Sequence, residues 1–294
     1  MAAVEPVLNL QGAARVRRRR FVNRLAEATA TIAALVAIFV LGVVVWSVAK
    51  RGASVISWGF LTKDLPLFGQ PGGGIAPLIV GSALLVGIAA AMALPVGVCI
   101  AVFLEEFAPP SVRAPIQLAV DLLNGLPSII IGVFVFGLLV YGHPQNGWAG
   151  SVGLAIVMLP LITRATQEVL RLVPSSQREG ALALGASRWR TVLGITLPSA
   201  LGGIVTGTVL AVARAAGETA PLLFATSIFS TKLSVDPSHA LPNIPVQIFI
   251  WSESADPLDH KRAWASALVL MLFVLLTSLI ARLALVRSQR KFNR

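Results

Sequence analysis

Two ionisable residues, Arg214 and Glu218, lie in an otherwise apolar stretch of the sequence. A charged side chain in a membrane span costs about 2.5–3.5 kcal/mol on insertion scales, so it persists where it faces protein or water. At positions i and i+4 of a helix the two side chains share a face and can pair. A guanidinium also offers paired N–H donors that match a phosphate. The residues alone leave two interpretations open, a structural ion pair between helices and an anion-handling site.

Pro127 and Ser128 interrupt a second apolar stretch. Proline removes a helical hydrogen bond, and broken helices mark transport pathways in membrane proteins. The sequence therefore predicts a helix break at midspan that frees backbone amides, with a simple proline kink as the alternative.

Residues for enzymatic chemistry are missing from the sequence. It contains no H-E-x-x-H, no G-x-S-x-G and no Cys/His metal spacing, and its single cysteine, Cys99, lies in an apolar run. The glycine-rich segment 69–74 lacks the Lys-Ser/Thr that a phosphate-binding loop requires. His143, His239 and His260 fall in segments predicted to be solvated loops. We predict no catalytic residue, no metal site and no ATP site in this chain.

The composition is typical of a membrane protein. Of 294 residues, 56% are hydrophobic and 13% charged, whereas soluble domains carry roughly 25% charged residues. The net charge of +11 is concentrated at the two ends of the chain, which argues against a nucleic-acid-binding surface. These features exclude soluble enzymes, disordered chains and disulfide-rich scaffolds.

Six apolar stretches have about the length that a membrane-spanning helix needs. They cover residues 28–49, 77–104, 116–142, 148–163, 200–224 and 264–285. The first is longer than the 7–15 residues of a signal-peptide core, which favours a retained helix over a cleaved signal. The sequence predicts an all-α, polytopic membrane protein with six transmembrane helices.

The basic residues predict the orientation of these helices. With both termini in the cytoplasm, sixteen Lys and Arg fall on the inner side and six on the outer side, which follows the positive-inside rule. The predicted organisation is then a cytoplasmic tail 1–27, a first helix 28–49, an external loop 50–76, a five-helix core 77–285 and a cytoplasmic tail 286–294. Within the core, 174–198 is an internal loop and 221–263 an external one.

The internal loop carries the most specific motif. Glu179-Gly180-Ala181 is followed by Gly185 and, nine residues later, by I-x-L-P at 195–198. This spacing resembles the EAA loop of ABC importer permeases, in which the loop docks on a separate ATPase. Gly180 departs from the family's usual alanine, at a cost of about 1 kcal/mol in helix stability. An amphipathic helix at the membrane surface is the alternative. The resemblance assigns ATPase coupling to Glu179, Gly180, Ala181, Gly185, Ile195, Leu197 and Pro198.

Two further segments resemble one particular group of ABC importer permeases. The sequence 124–132, NGLPSIIIG, resembles the G-x-PSI-x-x-G signature of phosphate-specific (Pst) permeases, and 214–224, RAAGETAPLLF, resembles the run found in their A-type subunit. The segment 103–108 resembles the end of the family's second helix. The resemblance implies the MetI-like fold of type I ABC importer permeases. It also implies a substrate pathway with the candidate residues Asn124, Pro127, Ser128, Arg214, Glu218 and Thr219.

By this resemblance the chain is the permease subunit of an ATP-driven importer of inorganic phosphate in the bacterial inner membrane. The implied partners are a C-type permease, a dimeric cytoplasmic ATPase that binds ATP and Mg²⁺, and an external phosphate-binding protein. No cofactor is expected in the chain itself. Two alternatives stay open: a permease for another oxyanion such as sulfate or molybdate, and a non-transporting membrane assembly or sensor protein.

Overall fold

The computed structural model describes residues 10–67, 69–227 and 230–292. This part of the chain is helical and contains no strand, as the sequence predicts. Three helices continue into short π-helical turns, at Phe103–Phe107, Phe136–Val140 and Val192–Thr196. The α-helices are α1 (Leu10–Gly52), α2 (Trp58–Thr62), α3 (Ala76–Val102), α4 (Pro110–Gly125), α5 (Ser128–Val135), α6 (Gly147–Leu172), α7 (Ser175–Ala183), α8 (Arg188–Thr191), α9 (Leu197–Ala215), α10 (Ala220–Ala225), α11 (Ile244–Ser252) and α12 (Pro257–Phe292).

The chain divides into two units, residues 1–50 and 51–294. The first unit is almost entirely α1, whose side chains are exposed from residue 16 to residue 44. The α1 helix begins at Leu10, so it starts well before the apolar stretch 28–49 and includes most of the predicted tail. Arginine favours the helix, so the basic segment continues the helix beyond the apolar stretch. The predicted tail residues 1–9 lie outside the described residues.

In the second unit, α6 packs between α3 and α9. The apolar core at this junction is built from small and branched side chains contributed by all three helices. Its fully buried members include Leu85, Ala89, Leu154, Met158 and Ala211. The helix that carries the core, α6, ends at Leu172, nine residues beyond the apolar stretch 148–163.

Gly203 and Gly207 explain how closely α9 approaches α6. A Cβ atom on Gly203 would overlap with the side chain of Val169, and one on Gly207 would overlap with Ala165. Small residues four apart allow such close contact between membrane helices. Residues 203–207 thus form a GxxxG motif that packs closely against α6.

We expect Gly207→Ala to destabilise the protein by about 1–3 kcal/mol, the usual cost of overpacking a well-packed core. The reason is that the new methyl group collides with the Cβ of Ala165, which has no rotamer to escape into. Thermal unfolding of the purified protein in detergent measures the effect. Gly87→Ala is the matched control, because a Cβ on this glycine of α3 has no neighbour within 4 Å. Equal melting temperatures for the two variants would contradict the packing.

Two of the six predicted spans are not single helices. The stretch 116–142 is divided into α4 and α5, with an angle of 100° between Pro110–Gly125 and Ser128–Val140. The break predicted at Pro127 is therefore confirmed, and it is far larger than a kink. The stretch 200–224 is also divided, because α9 ends at Ala215 and α10 begins at Ala220.

Among the described residues, five helices are long and apolar enough to cross a membrane, and the bent pair α4–α5 would make a sixth. The last of them, α12, begins at Pro257, seven residues before the predicted start. Its first turns carry a buried ion pair, in which Arg262 Nη1 lies 2.7 Å from Asp259 Oδ1. Arg262 also donates to the carbonyl of Gly72 at 3.1 Å, so the glycine-rich segment is held as a structural loop.

Candidate functional site

The predicted coupling loop, residues 174–198, consists of two short helices and a tight turn. α7 ends at Ala183, and α8 begins at Arg188. Between them Gly185 has φ +83°, a conformation that residues with a Cβ rarely adopt. The chain therefore makes a tight turn at this glycine. After α8, the residues Ile195, Leu197 and Pro198 are half-buried where the π turn enters α9.

The outer surface of the coupling loop is open. Glu179 and Gly180 are exposed, whereas Ala181 is buried against the rest of the protein. A Cβ on Gly180 would meet nothing within 4 Å, so nothing in the structure requires glycine there. Large apolar side chains are exposed beside these residues, namely Leu182, Leu184, Trp189 and Leu193. Such an exposed apolar patch is typical of a surface that binds another protein.

Arg214 and Glu218 form an ion pair, with 3.6 Å between Arg214 Nε and Glu218 Oε1. They do not share a helix face as predicted, because α9 ends at Ala215 and Glu218 lies in the following turn. The Arg214 side chain is 61% exposed and the Glu218 side chain 15%. The guanidinium is therefore open to its surroundings on one side, and the carboxylate is held against the protein.

The two segments singled out in the sequence, 124–132 and 214–224, pack against each other through α5 and α10. A Cβ on Gly132 would lie 2.8 Å from Phe224 Cδ2 and 3.0 Å from the carbonyl oxygen of Ala220. Glycine at position 132 thus allows the two half-helices to meet. Sequence reasoning missed this contact, because the segments are far apart in the chain.

The other candidate pathway residues lie at these breaks. Asn124 and Pro127 are exposed at the end of α4, and Ser128 and Thr219 are half-buried at the starts of α5 and α10. Among the described residues, no hydrogen bond or ion pair joins Asn124 or Ser128 to the Arg214–Glu218 pair. The first amides of α5 have no acceptor within the helix, which makes its N-terminus favourable for an anion.

A cluster of charged side chains that the sequence analysis did not assign surrounds Glu105. Its carboxylate accepts hydrogen bonds from Arg113 and Arg171, each at 2.7 Å, and from Gln167 at 3.1 Å. Gln167 in turn donates to the side chain of Gln117 at 2.8 Å. These contacts join the end of α3 to α4 and α6. Two adjacent glutamates after an apolar run were the only signal of this cluster in the sequence.

Two more ion pairs join neighbouring helices. Arg178 of α7 pairs with Glu106, with 2.8 Å between Nη2 and Oε1. Arg164 of α6 pairs with Asp121 of α4. The Arg164–Asp121 pair neutralises a charge that α6 carries beyond its apolar part, and a charge in a helix bundle is tolerated when a partner neutralises it.

In the described part of the chain, no group of His, Cys, Asp and Glu side chains is arranged to hold a metal ion. His143, His239 and His260 are exposed, as predicted. In the loop after α10, the Asp236 carboxylate accepts a hydrogen bond from the backbone amide of Ser238 at 2.9 Å, which lowers the pKa of Asp236.

Solved structures of ABC importers share this fold. A chain of a bacterial alginate ABC transporter matches 91% of this chain and 94% of its own length, with a TM-score of 0.60 and 15% sequence identity. A chain of the MetNI methionine ABC transporter in an inward-facing conformation matches 72% of this chain and 93% of its own, with a TM-score of 0.57 and 17% identity. The MetI-like permease fold predicted from the sequence is confirmed.

Similarity to proteins of known sequence identifies the family of this chain. Residues 93–294 match the family of binding-protein-dependent transport system inner membrane components. The phosphate transport system permease protein PstA of Yersinia pestis is 37% identical over 92% of both chains. PstA of Haemophilus influenzae is 36% identical over 90% of this chain and 94% of its own. This chain therefore belongs to the binding-protein-dependent transport system inner membrane components and, among them, to the PstA family of multi-pass permeases.

Proposed function

We propose that this protein is the permease subunit of an ATP-driven importer of inorganic phosphate. The observation that carries the proposal is the similarity to phosphate permeases over about nine-tenths of the chain. These relatives are permeases of phosphate transport systems, and the fold of this chain is that of importer permeases.

The coupling loop is the proposed dock for a separate ATPase. Its exposed apolar residues, Leu182, Leu184 and Trp189, form a surface that a partner could cover. ATP and Mg²⁺ would bind to that ATPase, since this chain has no phosphate-binding loop of its own. The remaining proposed partners are a C-type permease, which completes the pathway, and an external phosphate-binding protein. Co-purification of the chain followed by mass spectrometry tests this set of partners.

In the proposed mechanism, ATP binding closes the ATPase dimer and moves the coupling loop. The movement turns the membrane helices from an inward-facing to an outward-facing arrangement, and phosphate released by the binding protein then enters between the two permeases. Arg214 is the proposed contact for the anion, since its guanidinium is largely exposed and Glu218 holds one edge of it. Asn124, Pro127, Ser128 and Thr219 at the helix breaks are the proposed neighbours along the pathway.

Both termini are proposed to lie in the cytoplasm and the loop 221–263 outside, in agreement with the distribution of basic residues. A cysteine at the exposed position Ser238, in a background with Cys99 replaced, should react with an impermeant maleimide on intact cells. A cysteine at Ser288 should react only after the cells are opened. Labelling of intact cells at Ser288 and not at Ser238 would invert the orientation.

Transport competition separates phosphate from the other oxyanions. The chain is expressed with its partner subunits in cells that lack other phosphate uptake, and uptake of labelled phosphate is followed with excess sulfate or molybdate. We expect phosphate uptake that neither anion reduces. Displacement of phosphate by sulfate or molybdate would favour a different oxyanion, and no uptake of any of the three would favour a non-transporting assembly protein.

A further inference from the structure

Two adjacent carboxylates at the end of α3 contact different parts of the protein. Glu105 and Glu106 lie in the π-helical turn Phe103–Phe107. A π turn inserts one residue into a helix and frequently occurs at functional sites. In this turn Glu105 faces α4 and α6, whereas Glu106 faces α7 of the coupling loop.

The contacts of Glu105 are those of a fixed anchor. Its side chain is 8% exposed and is bonded by two guanidinium groups and one amide, so both carboxylate oxygens are satisfied. Buried charges are stable only when they are paired and hydrogen-bonded in this way. Glu105 therefore fixes the end of α3 to the neighbouring membrane helices.

The contact of Glu106 is less complete. Its side chain is 12% exposed and that of Arg178 is 27% exposed, and the 2.8 Å contact between them is an ion pair without hydrogen-bond alignment at Glu106 Oε1. Arg178 Nε is buried and has no hydrogen-bond partner among the described residues, although Nη2 donates to the carbonyl of Leu170 at 2.7 Å. Buried polar groups are normally satisfied, so an incomplete contact of this kind can rearrange at little cost.

α7 has few other attachments to the membrane helices. Of its nine residues, Ala181 is buried, Arg178 is half-buried and the other seven are exposed. A pocket of about 230 Å³, lined by Glu106, Arg178, Leu182, Arg188, Thr191 and Val192, lies beside the ion pair and leaves room for the two side chains to shift. Displacement of α7 by a docked partner would therefore act on α3 mainly through Arg178 and Glu106.

We propose that the Glu106–Arg178 contact transmits movement of the coupling loop to α3, and that both residues are positioning residues for transport. The proposal rests on the proposed function, in which an ATPase moves the coupling loop. It adds a specific contact between that loop and the membrane helices, and it separates the roles of two neighbouring glutamates.

The test uses the complete complex, with both permeases, the ATPase and the binding protein, in lipid vesicles. The quantity measured is labelled phosphate transported per ATP hydrolysed. For Glu106→Gln and Arg178→Gln we expect this ratio to fall by about 5- to 150-fold, the usual range of coupling between two sites, while the ATPase stays bound. Arg178→Lys keeps the charge and should retain most of the ratio.

Glu105→Gln is the matched control, because it removes the same charge from the same turn. It should lower the melting temperature of the complex and leave the ratio unchanged. An unchanged ratio in Glu106→Gln, an equal fall in Glu105→Gln, or loss of the ATPase from the Glu106→Gln complex would each overturn the proposal. A failure of the proposed function would be seen separately, in the unsubstituted complex, which would then carry sulfate or molybdate in place of phosphate. In that case the ratio is measured with the anion that the complex carries.

Discussion

A protein with alanine at both position 214 and position 218 should assemble in normal amounts and lose most of its phosphate uptake. Hydrogen bonds to a charged group are worth about 1.5–3 kcal/mol, so we expect uptake to fall roughly 10- to 100-fold. Assembly is preserved because the double substitution of Arg214 and Glu218 leaves no unpaired charge. Uptake per amount of protein in the membrane measures the effect.

The single variants distinguish transport from stability. Arg214→Ala leaves the largely covered carboxylate of Glu218 without a partner and should reduce the protein level. Glu218→Ala should reduce it less, since the Arg214 side chain is mostly exposed. Arg214→Lys keeps the charge without the planar fork and should lower uptake in an assembled complex. Arg51→Lys, at the end of α1, is the control. Normal uptake in the double variant would reject Arg214 as a pathway residue and leave a structural ion pair.

The second large effect is expected at Gly185. Its φ of +83° forces a β-branched residue into a conformation that costs about 1–3 kcal/mol, so Gly185→Val should distort the turn between α7 and α8. We expect the ATPase to dissociate and uptake to be lost, while the protein still inserts in the membrane. Co-purification of the ATPase and uptake of labelled phosphate measure the two effects.

Gly142→Val separates backbone strain from coupling. Gly142 has φ +79° and, like Gly185, a Cβ there would meet nothing within 4 Å, but it follows α5 in a different loop. Both variants should lose similar stability, and only Gly185→Val should lose the ATPase. If Gly185→Val keeps both the ATPase and normal uptake, the coupling loop is not the dock.

Local sequence patterns were sufficient to predict the features that depend on local physics. The turn at Gly185, the break at Pro127 and the close approach at Gly207 each follow from a single residue type whose backbone or size decides the outcome. The helical class followed from the lengths of the apolar stretches.

The features that sequence reasoning missed depend on partners distant in the chain. Arg171 and Gln167 of α6 bind Glu105, which follows α3, and the hydropathy of the sequence does not reveal such pairing. The end of α9 at Ala215 also depends on a distant contact. The local sequence Arg-Ala-Ala-Gly-Glu predicts a continuous helix, whereas in the structure α10 is a separate helix that packs on α5. Such contacts appear only when the helices are assembled.

Phosphate flux into vesicles that contain the reconstituted complex is the decisive measurement for the proposed function as an ATP-driven phosphate importer. The binding protein loaded with labelled phosphate is supplied on one side, and ATP with Mg²⁺ on the side of the ATPase. We expect phosphate to accumulate only when ATP and the binding protein are both present, and excess sulfate should not reduce this accumulation. Accumulation without ATP, or displacement of phosphate by sulfate, would contradict an ATP-driven phosphate importer.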